Sequence, residues 1–554
     1  MTTMSTPAWA GFASLAGVIS HLAIFIRGDW DKHTPSIVKF YAAAEAVVLV
    51  LVRTLLTSGL YNSIFCVLVL NIGYFLGLFG SIGLYRACFH PLRSFRGPLL
   101  AKLSTFWSAR ETARNYRFHV MIDEMHRTYG DFVRIRPREI SINNVDALSD
   151  IHSRGSVCTR GPYYDLWTPY RSIHTTRDTA YHSQRRRAWD QGFTATALNQ
   201  YHPRIRRHCR DLVAQIARQK GEPINPSAWM NFFAFDVMGD LTFGKTFGML
   251  EDVANARIPN GFVESLPLYG IGRCVPWLFI ALQLLPDAVN RPSDFVNWSI
   301  AQFSERKRMG QSRTDLFTYI LGEGVEQTKT FQISDGDLAK DALTAIVAGS
   351  DTASSALSAA LYLLAKHPEQ QGLLQEELDK LTAQAGGEEP SCKMLLEAPF
   401  LNSCINEALR LYPPIPGNVQ RLTPPGGTTI AGRFIPGDTI VSTPTYAIHR
   451  DSRNFPNPHA FIPARWSNPD SPLVTWKDAF NPFLMGLYSC VGKPLALLEM
   501  RMCLASLVSA YSFRFPDAAA QQYAMKDLFD GENGVRDHFT AHAPDYELIF
   551  VPRG

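Results

Sequence analysis

The ten residues from Phe483 to Gly492 read FLMGLYSCVG and place one cysteine between two glycines, near the carboxyl end of the chain. Glycine takes backbone turns that a Cβ resists, so peptide N–H groups can close on the sulfur of Cys490. Pro494 and the apolar run after it predict a helix, whose positive N-terminal end favours a thiolate over a thiol. A lone cysteine is usually just a small buried apolar side chain. A thiolate that accepts N–H bonds behind Phe483, however, suits binding to iron.

The composition of the chain excludes several classes of protein. Among 554 residues, 54 are Lys or Arg and 50 are Asp or Glu, which gives a net charge of +4. This balance argues against nucleic acid as a partner and against a disordered acidic chain. The nine cysteines are odd in number and contain no CxxC pair, so neither a disulfide framework nor a cysteine-rich zinc site is expected.

Residues 1–86 are predicted to form a membrane anchor with one to three spans. The best candidate is Ile64 to Leu84, IFCVLVLNIGYFLGLFGSIGL, which is long enough to cross the ~30 Å hydrocarbon core as a helix. Ala10 to Ile26 and Ala42 to Leu56 are weaker candidates, and the second carries charged residues that are costly inside a bilayer. Gly73 and Gly77 form a GxxxG pair that could pack two spans together.

The residues after the last apolar segment indicate where the rest of the chain lies. Five basic residues follow without an acid among them: Arg86, His90, Arg93, Arg96 and Lys102. The positive-inside rule therefore places the body of the protein in the cytosol. Residues 87–98 hold two prolines and a glycine and are predicted to be a hinge. Residues 99–554 are predicted to form one globular domain.

Most of this domain has a helical period, with smaller β signals. Ser334 to Lys366 is the clearest helix, because a capping pattern at Ser334 precedes a long apolar run and a proline follows it. It is apolar on nearly all sides and should be buried at the centre. Short strands are expected within Phe132 to Ile142 and within Thr428 to Ser442. The predicted class is mainly α with small β-sheets.

The residues around Cys490 resemble the heme-binding signature of the cytochrome P450 family. That signature reads Phe, two residues, Gly, any residue, Arg or His, any residue, Cys, any residue, Gly. Its fixed positions are matched by Phe483, Gly486, Cys490 and Gly492. Tyr488 stands where the family usually has Arg or His, so a phenol replaces a cationic partner for a heme propionate. The resemblance implies a P450 fold behind the anchor and a heme b whose iron is axially bound by Cys490.

A second motif of this family lies within the predicted long helix. Residues 348–352 read AGSDT, similar to the family's oxygen-activating motif. A glycine inside a helix costs roughly 1 kcal/mol relative to alanine, and an acid followed by an alcohol gives no packing advantage there. The resemblance implies that Gly349 opens a bulge beside the heme and that Asp351 and Thr352 relay protons. The alternative is a short polar patch satisfied by bonds to the helix backbone.

Two further sets of residues match the family in order and spacing. Glu407 and Arg410 share a helix face, and alone they would be an ordinary solvated pair. With the later Arg465 they resemble the family's ExxR network, which implies buried charges that brace the heme-side scaffold. The resemblance also implies that three basic residues contact the heme propionates, namely His182, Arg186 and Arg421.

These motifs favour a membrane-bound, fungal-type heme monooxygenase of secondary metabolism in the endoplasmic reticulum membrane. By resemblance, electrons come from NADPH through a separate NADPH–cytochrome P450 reductase, with Lys493 a candidate contact. One alternative keeps the heme but makes the enzyme an isomerase or dehydratase that needs neither NADPH nor O₂. Another is a membrane protein without a cofactor that binds or transports apolar molecules, but no apolar segment of spanning length follows Tyr85.

The substrate is expected to be an apolar small molecule. Four regions are predicted to line its pocket: Gly155 to Thr179, Phe232 to Trp298, Ala345 to Ser355 and Pro414 to Val419. They are rich in apolar and aromatic side chains, including Tyr163, Tyr164, Trp167, Phe262 and Trp277.

Overall fold

The computed structural model describes residues 6–55, 59–167, 170–282, 284–285, 294–310, 315–321, 333–417, 419–468, 470–526 and 528–553. They form a mainly helical protein with small β-sheets, which confirms the predicted class. The helices are α1 Thr6–Ser20, α2 Thr34–Leu55, α3 Leu60–Leu84, α4 Leu99–Leu103, α5 Thr105–Asn115, α6 Phe118–Tyr129, α7 Asp146–His152, α8 Thr179–Gln191, α9 Ala195–Arg218, α10 Pro226–Phe243, α11 Arg257–Gly272, α12 Pro276–Leu282, α13 Asp294–Met309, α14 Leu316–Ile320, α15 Asp335–Lys366, α16 Pro368–Gln384, α17 Cys392–Glu397, α18 Pro399–Leu411, α19 Thr445–His449, α20 Lys493–Ala510 and α21 Ala518–Lys526.

The strands are short and form small sheets. They are β1 Phe132–Arg136, β2 Glu139–Ile142, β3 Thr159–Arg160, β4 Arg421–Leu422, β5 Thr428–Ile430, β6 Arg433–Ile435, β7 Ile440–Ser442, β8 Tyr511–Arg514, β9 Arg536–Asp537, β10 Ala541–His542 and β11 Ile549–Pro552. The largest described sheet has the order β1-β2-β7-β4-β3, in which β2 and β7 are parallel. Both predicted β regions are confirmed, since β1 and β2 form a hairpin and β5, β6 and β7 fall within the second region.

α15 runs through the domain, and its residues from Ala353 to Ala365 are all buried. Ser334 caps the helix as predicted, because its hydroxyl accepts a bond from the backbone N of Asp337 at 3.1 Å. The Asp337 carboxylate turns to another chain segment and accepts bonds from the backbone N of Arg171 and the hydroxyl of Tyr181. The cap thus also ties α15 to the start of α8.

Three helical segments among the described residues are long and apolar enough to cross a membrane: Ala8–Phe25, Asp31–Leu55 and Leu60–Phe89. α1 packs closely on α3 at glycine positions. A Cβ on Gly73 would lie 2.6 Å from the backbone oxygen of Ala10, and one on Gly77 would overlap the backbone of Ser14. The GxxxG pair therefore lies at a helix–helix contact, where small residues let two backbones approach.

The segment predicted as a hinge packs against the domain. Leu92 and Phe95 are buried in a cluster with residues of the five-stranded sheet. Gly97 has a φ of +150°, and a Cβ there would overlap the carbonyl of Arg134. The boundaries of anchor, hinge and domain stay predictions, but these residues belong to the packing of the domain.

Candidate active site

A cavity of about 360 Å³ lies between α15 and the loop that leads into α20. All four predicted regions contribute to its walls, and most of the lining is apolar. Representative lining residues are Tyr163, Tyr164, Met238, Leu266, Ala348 and Val419. A cavity of this kind, with a few polar groups at one end, is typical of a site for a small organic molecule.

One aromatic residue that was predicted to line this cavity lies elsewhere. Trp277 is 39% exposed and packs edge-on against Phe106, with 5.9 Å between ring centroids. The prediction for Trp277 is wrong because α12 lies beside α2, one of the three apolar N-terminal helices. The side chains of Trp167 and Phe262 lie outside the described residues.

Cys490 faces the cavity from the loop before α20. Its backbone N donates to the carbonyl oxygen of Phe483 at 2.8 Å, which closes the loop. Gly486, in the same loop, has a φ of +70°, and a Cβ there would lie 2.7 Å from the carbonyl carbon of Ser153. Both the left-handed conformation and the lack of space therefore require glycine at position 486.

Gly492 differs from Gly486 in both respects. Its φ is −78°, which any residue adopts. A Cβ there would lie 3.9 Å from Sγ of Cys490 and 3.9 Å from the ring of Phe193, both ordinary contact distances. The prediction that a turn requires glycine at position 492 is therefore wrong.

The charge state of Cys490 depends on opposing effects. Desolvation by the surrounding protein raises the pKa of its thiol, although the side chain borders the cavity. The backbone N–H groups of Gly492 and Lys493 and the charge of Arg186 act in the opposite direction, but the pKa remains above its ordinary value. Burial thus opposes the thiolate that the N–H donors favour, and coordination to a metal cation deprotonates a thiol.

Tyr488 lies at the centre of a basic cluster on the same side of the cavity. The guanidinium carbons of Arg160 and Arg421 lie 4.3 and 4.7 Å from the centre of its ring. The ring of His182 meets it edge-on at 4.7 Å between centroids. Arg160 and Arg421 stand opposite each other on β3 and β4, and this strand pairing brings them together.

The polar atoms of this cluster have unused hydrogen-bonding capacity. Within the described part of the chain, four buried atoms lack a hydrogen-bond partner: Nε of Arg160, Nδ1 of His182, Nε of Arg421 and Oη of Tyr488. Burial, with the nearby arginines, lowers the pKa of His182 to about 3, so its ring is neutral. Guanidinium and phenol donors that face one cavity fit an anionic group such as the propionates of a heme.

Sequence reasoning did not find Arg160, which is part of this cluster. It lies inside a region predicted to line the pocket, but no motif marks it. Its Nη1 donates to the carbonyl oxygens of Ile173 and Thr176 at 2.8 and 2.7 Å, which fixes the guanidinium beside Tyr488.

The three consecutive arginines of α8 point in three directions. Arg185 is buried and its Nε donates to the carboxylate of Asp341 on α15 at 2.8 Å. Arg186 reaches the cavity wall, where it donates to the carbonyl oxygen of Ser489 at 2.6 Å and pairs with Asp190. Arg187 is exposed. Arg186 thus braces the cysteine loop, while His182 lies nearer the unpartnered donors.

The motif residues 348–352 lie on different sides of α15. Ala348, Gly349 and Thr352 line the cavity, but Asp351 is buried on another side of the helix. The helix is α-helical from Asp335 to Lys366, so the bulge predicted at Gly349 is not formed. A Cβ on Gly349 would lie 2.5 Å from the sulfur of Met238, so this glycine admits close contact with α10.

Glu407, Arg410 and Arg465 meet in a fully buried network. Nε and Nη2 of Arg410 donate to the two carboxylate oxygens of Glu407, each at 2.8 Å. Arg465 donates to the same carboxylate at 3.2 Å, and Trp466 adds a bond at 2.9 Å. Both arginines pair with the one carboxylate of Glu407. Their other N–H groups donate to backbone carbonyl oxygens, which include that of His449.

The chain matches known proteins over most of its length. The family model for cytochrome P450 matches residues 98–529. The cytochrome P450 monooxygenase nodW of Hypoxylon pulicicidum is 37% identical over 99% of both chains. FCK2 of Fusarium pseudograminearum, named as a cytochrome P450 monooxygenase, is 36% identical over 97% of this chain and 96% of that protein. The tryprostatin B 6-hydroxylase of Aspergillus fumigatus is 35% identical over 98% and 96%.

These matches agree with the geometry of the site. A cysteine faces a cavity beside donors that fit an anionic cofactor, and the family implies a heme-thiolate iron centre and a small-molecule substrate. The chain is an oxygen-incorporating oxidoreductase that belongs to the cytochrome P450 family.

Proposed function

We propose that the chain is a membrane-anchored monooxygenase that binds heme b through Cys490 and hydroxylates an apolar organic substrate. For a substrate RH, the reaction converts RH, O₂, NADPH and H⁺ into ROH, H₂O and NADP⁺. The observation that carries this proposal is the cavity that joins the Cys490 sulfur to the cluster of donors around Tyr488.

Different residues of the chain would hold different parts of the cofactor. Cys490 would supply the sulfur that binds the iron, and Gly486 shapes its loop. Arg160, Arg421 and Tyr488 would donate to the propionates, with His182 beside them. When bound, the heme-thiolate iron supplies oxygen activation. The protein excludes water, positions the substrate and delivers protons.

The lining of the cavity supports an apolar substrate. Leu266, Val296, Leu343 and Val347 line it, together with the aromatic side chains of Tyr163 and Tyr164. Since a relative is named as a hydroxylase of tryprostatin B, we place the enzyme in fungal secondary metabolism. The names of the relatives also favour oxygen insertion over isomerisation or dehydration. Turnover that needed neither NADPH nor O₂ would contradict this choice.

The loop between α1 and α2 supports a topology with three spans. Nη1 of Arg138 donates to the carbonyl oxygen of Gly28 at 2.8 Å, and Arg177 pairs with Asp29 at 2.9 Å. This loop therefore lies on the same side of the membrane as the catalytic domain. From this loop, α2 crosses to the lumen of the endoplasmic reticulum and α3 crosses back to the domain in the cytosol. α1 therefore begins on the lumenal side, where Thr6 lies.

Glycosylation mapping tests this topology. An acceptor sequence placed before Thr6 should be glycosylated in microsomes. The native sequence Asn297-Trp298-Ser299 should stay unmodified, although Asn297 is exposed. A glycan on Asn297 would overturn the cytosolic placement.

The electron donor is proposed to be NADPH–cytochrome P450 reductase, docked on the side of Cys490. Lys493 is exposed at the start of α20, and its Nζ lies 5.7 Å from the ring centre of Phe483. A basic residue so close to the cysteine loop suits an acidic partner. Lys493→Glu should lower the rate of heme reduction by the reductase and leave reduction by dithionite unchanged.

A reduced carbon monoxide difference spectrum tests the ligand assignment. The wild type should show a band near ~450 nm, as expected for thiolate-ligated heme, and Cys490→Ala should lose it. Cys88→Ala serves as the matched control, because Cys88 is exposed and far along the chain from the cavity residues. The same band in all three proteins would remove Cys490 as the axial ligand.

A further inference from the structure

We propose that Asp29, in the loop between the apolar helices α1 and α2, is a positioning residue for the main cavity and acts through Arg177. The inference rests on the proposed function, because it concerns the cavity in which heme and substrate would bind. It gives the N-terminal helices a role beyond attachment to a membrane.

The side chain of Arg177 joins three parts of the chain. Its Nη1 donates to Oδ2 of Asp29 at 2.9 Å and also to the carboxylate of Asp165. Its Nε donates to the carbonyl oxygen of Arg160 at 3.1 Å. Asp165 belongs to the turn Pro162–Trp167, and Arg160 belongs to β3. One guanidinium group therefore connects the loop between α1 and α2 to two segments of the catalytic domain.

Arg160 and the segment that carries Arg177 are bonded to each other in both directions. Nη1 of Arg160 donates to the carbonyl oxygen of Thr176 at 2.7 Å, while Nε of Arg177 donates back to the carbonyl oxygen of Arg160. The guanidinium of Arg160 lies over the ring of Tyr488, at the place proposed for the heme propionates. A displacement of Arg177 would therefore be passed on to Arg160 and to this cluster.

Asp165 connects Arg177 to the aromatic lining of the main cavity. It lies in the same turn as Tyr163 and Tyr164, whose side chains line the cavity. Its ion pair with Arg177 holds the backbone that carries both rings. The guanidinium carbon of Arg160 also lies 5.0 Å from the ring centre of Tyr164, so β3 and the turn contact each other. The position of Arg177 thus bears on both the propionate cluster and the substrate wall.

Asp29 is held in place by a second arginine. Arg138, in the turn between β1 and β2, donates through Nη1 to the carbonyl oxygen of Gly28 at 2.8 Å. Its Nη2 lies 3.7 Å from Oδ1 of Asp29. Gly28 has a φ of +89°, a conformation that favours glycine. The carboxylate of Asp29 therefore accepts the bond from Arg177 at a defined position on the catalytic domain.

The pair formed by Asp29 and Arg177 is largely shielded from water. The two side chains are 18% and 22% exposed. Burial alone would lower the pKa of Arg177, but the carboxylates of Asp165 and Asp29 raise it above its ordinary value, so the guanidinium is charged. Salt screens a partly buried pair less than it screens an exposed one. The pair can therefore hold Arg177 in place at physiological ionic strength.

Heme release from the full chain tests this role. Asp29→Ala should speed the transfer of heme to excess apomyoglobin about threefold, the effect of one partly exposed ion pair. Asp29→Glu should keep nearly the wild-type rate, because its carboxylate still reaches Arg177. Asp335→Ala is the matched control, since Asp335 forms an exposed ion pair with Lys307 at 2.7 Å. Equal rates for Asp29→Ala and Asp335→Ala would overturn the proposal.

A double-mutant cycle tests whether Asp29 acts through Arg177. Arg177→Met should speed heme release at least as much as Asp29→Ala, because it removes the bonds to Asp29, Asp165 and Arg160 together. In the Arg177→Met background, Asp29→Ala should then have no further effect on the rate. Additive effects of the two substitutions would overturn the route through Arg177.

Azole binding to the heme-loaded chain tests the substrate wall and does not depend on the folding of Arg177→Met. Clotrimazole is bulky and apolar and would extend along the cavity, whereas imidazole would reach only the iron. Asp29→Ala should raise the Kd for clotrimazole, measured from the Soret shift, about threefold and leave that for imidazole unchanged. Asp29→Glu should restore the wild-type Kd.

The outcomes of this binding experiment separate the proposal from the function on which it rests. A general loss of stability would not distinguish the two azoles. Equal changes in the two Kd values, including no change in either, would therefore overturn the role of Asp29. A wild type without the carbon monoxide band would instead overturn the proposed function.

Discussion

The guanidinium of Arg160 lies over the ring of Tyr488, with 4.3 Å between the guanidinium carbon and the ring centre. The family usually has Arg or His at the position of Tyr488. Here the positive charge comes from the two strands that face Tyr488, since Arg421 lies over the same ring at 4.7 Å. The chain thus supplies cations and a phenol at a place where the family signature supplies one cation.

Arg160→Leu should therefore weaken heme binding. A charge-assisted hydrogen bond to a propionate contributes about 1.5 to 3 kcal/mol, so heme should leave the variant at least about tenfold faster. Transfer of heme to excess apomyoglobin measures the rate. Arg187→Leu is the control, because Arg187 is the exposed arginine of α8. Equal rates for both variants would remove Arg160 from the propionate site.

Tyr488→Phe should have different effects on the stability of the heme-free protein and on heme retention by the loaded protein. The Oη of Tyr488 is buried without a partner among the described residues, which is costly, so the heme-free protein should gain stability or stay unchanged. The loaded protein should lose heme faster, since a donor to the cofactor is gone. Thermal unfolding with and without heme measures both. A loss of stability in the heme-free variant would show that the phenol has a structural partner.

The two glycines of the cysteine loop should differ in their tolerance of alanine. At Gly486, alanine adopts a positive φ at a cost of about 1 kcal/mol and also meets the backbone of His152 and Ser153, so heme incorporation should fall sharply. Gly492→Ala should fold and incorporate heme, because its φ is −78° and its neighbours lie at contact distance. The ratio of heme to protein after purification measures both.

Removal of Glu407 should strongly destabilise the domain. Glu407→Ala leaves the guanidinium groups of Arg410 and Arg465 buried without their carboxylate, at a cost of about 3 to 5 kcal/mol. Chemical denaturation monitored by circular dichroism should show this loss. Glu369→Ala is the matched control, because the Glu369 side chain is 63% exposed and its partner His367 is also partly exposed, so no buried charge loses its partner. A cost below about 1 kcal/mol for Glu407→Ala would contradict the bracing role.

His449 should make the domain sensitive to acid. Its Nε2 accepts a bond from the backbone N of Asn481 at 3.1 Å, so its Nδ1 carries the proton and donates to the carbonyl oxygen of Arg410. Burial, with Arg410 nearby, lowers the pKa of His449 to about 3 from 6.5. The unfolded chain takes up this proton first, so its contribution to stability is complete above pH 6.5 and is lost as the pH falls toward 3.

His449→Gln should reduce this acid sensitivity. The slope of the unfolding free energy between pH 6.5 and 4 should decrease by up to about 1.4 kcal/mol per pH unit, the effect of one proton. Denaturation series at several pH values measure the slope. An unchanged slope would contradict the lowered pKa of His449 and would leave other buried histidines, such as His119, as the source of acid sensitivity.

Several parts of this protein follow from local sequence. The cap at Ser334 and the apolar run after it predict α15, because helix formation depends on groups within a few residues of each other. The apolar segment after Leu60 predicts a span for the same reason. At Gly486, the motif predicts the turn because glycine is the residue suited to a positive φ.

Other parts depend on contacts that no local pattern specifies. The arginines 185, 186 and 187 are equivalent in the sequence, yet one is buried against Asp341, one braces the cysteine loop and one is exposed. Trp277 has the character of a pocket residue but lies on α12 beside the apolar helix α2, because the placement of α12 is set by its packing partners.

The sequence by itself determined the apolar N-terminal helices, the helical class and the cysteine loop with its signature, since these rest on periodicity, length and short-range backbone geometry. Only the tertiary structure decided that Arg160 stands beside Tyr488 and that Asp351 and Thr352 line different cavities. Strand register fixes the first relationship and the rotation of α15 fixes the second. Both depend on how elements from distant parts of the chain pack together.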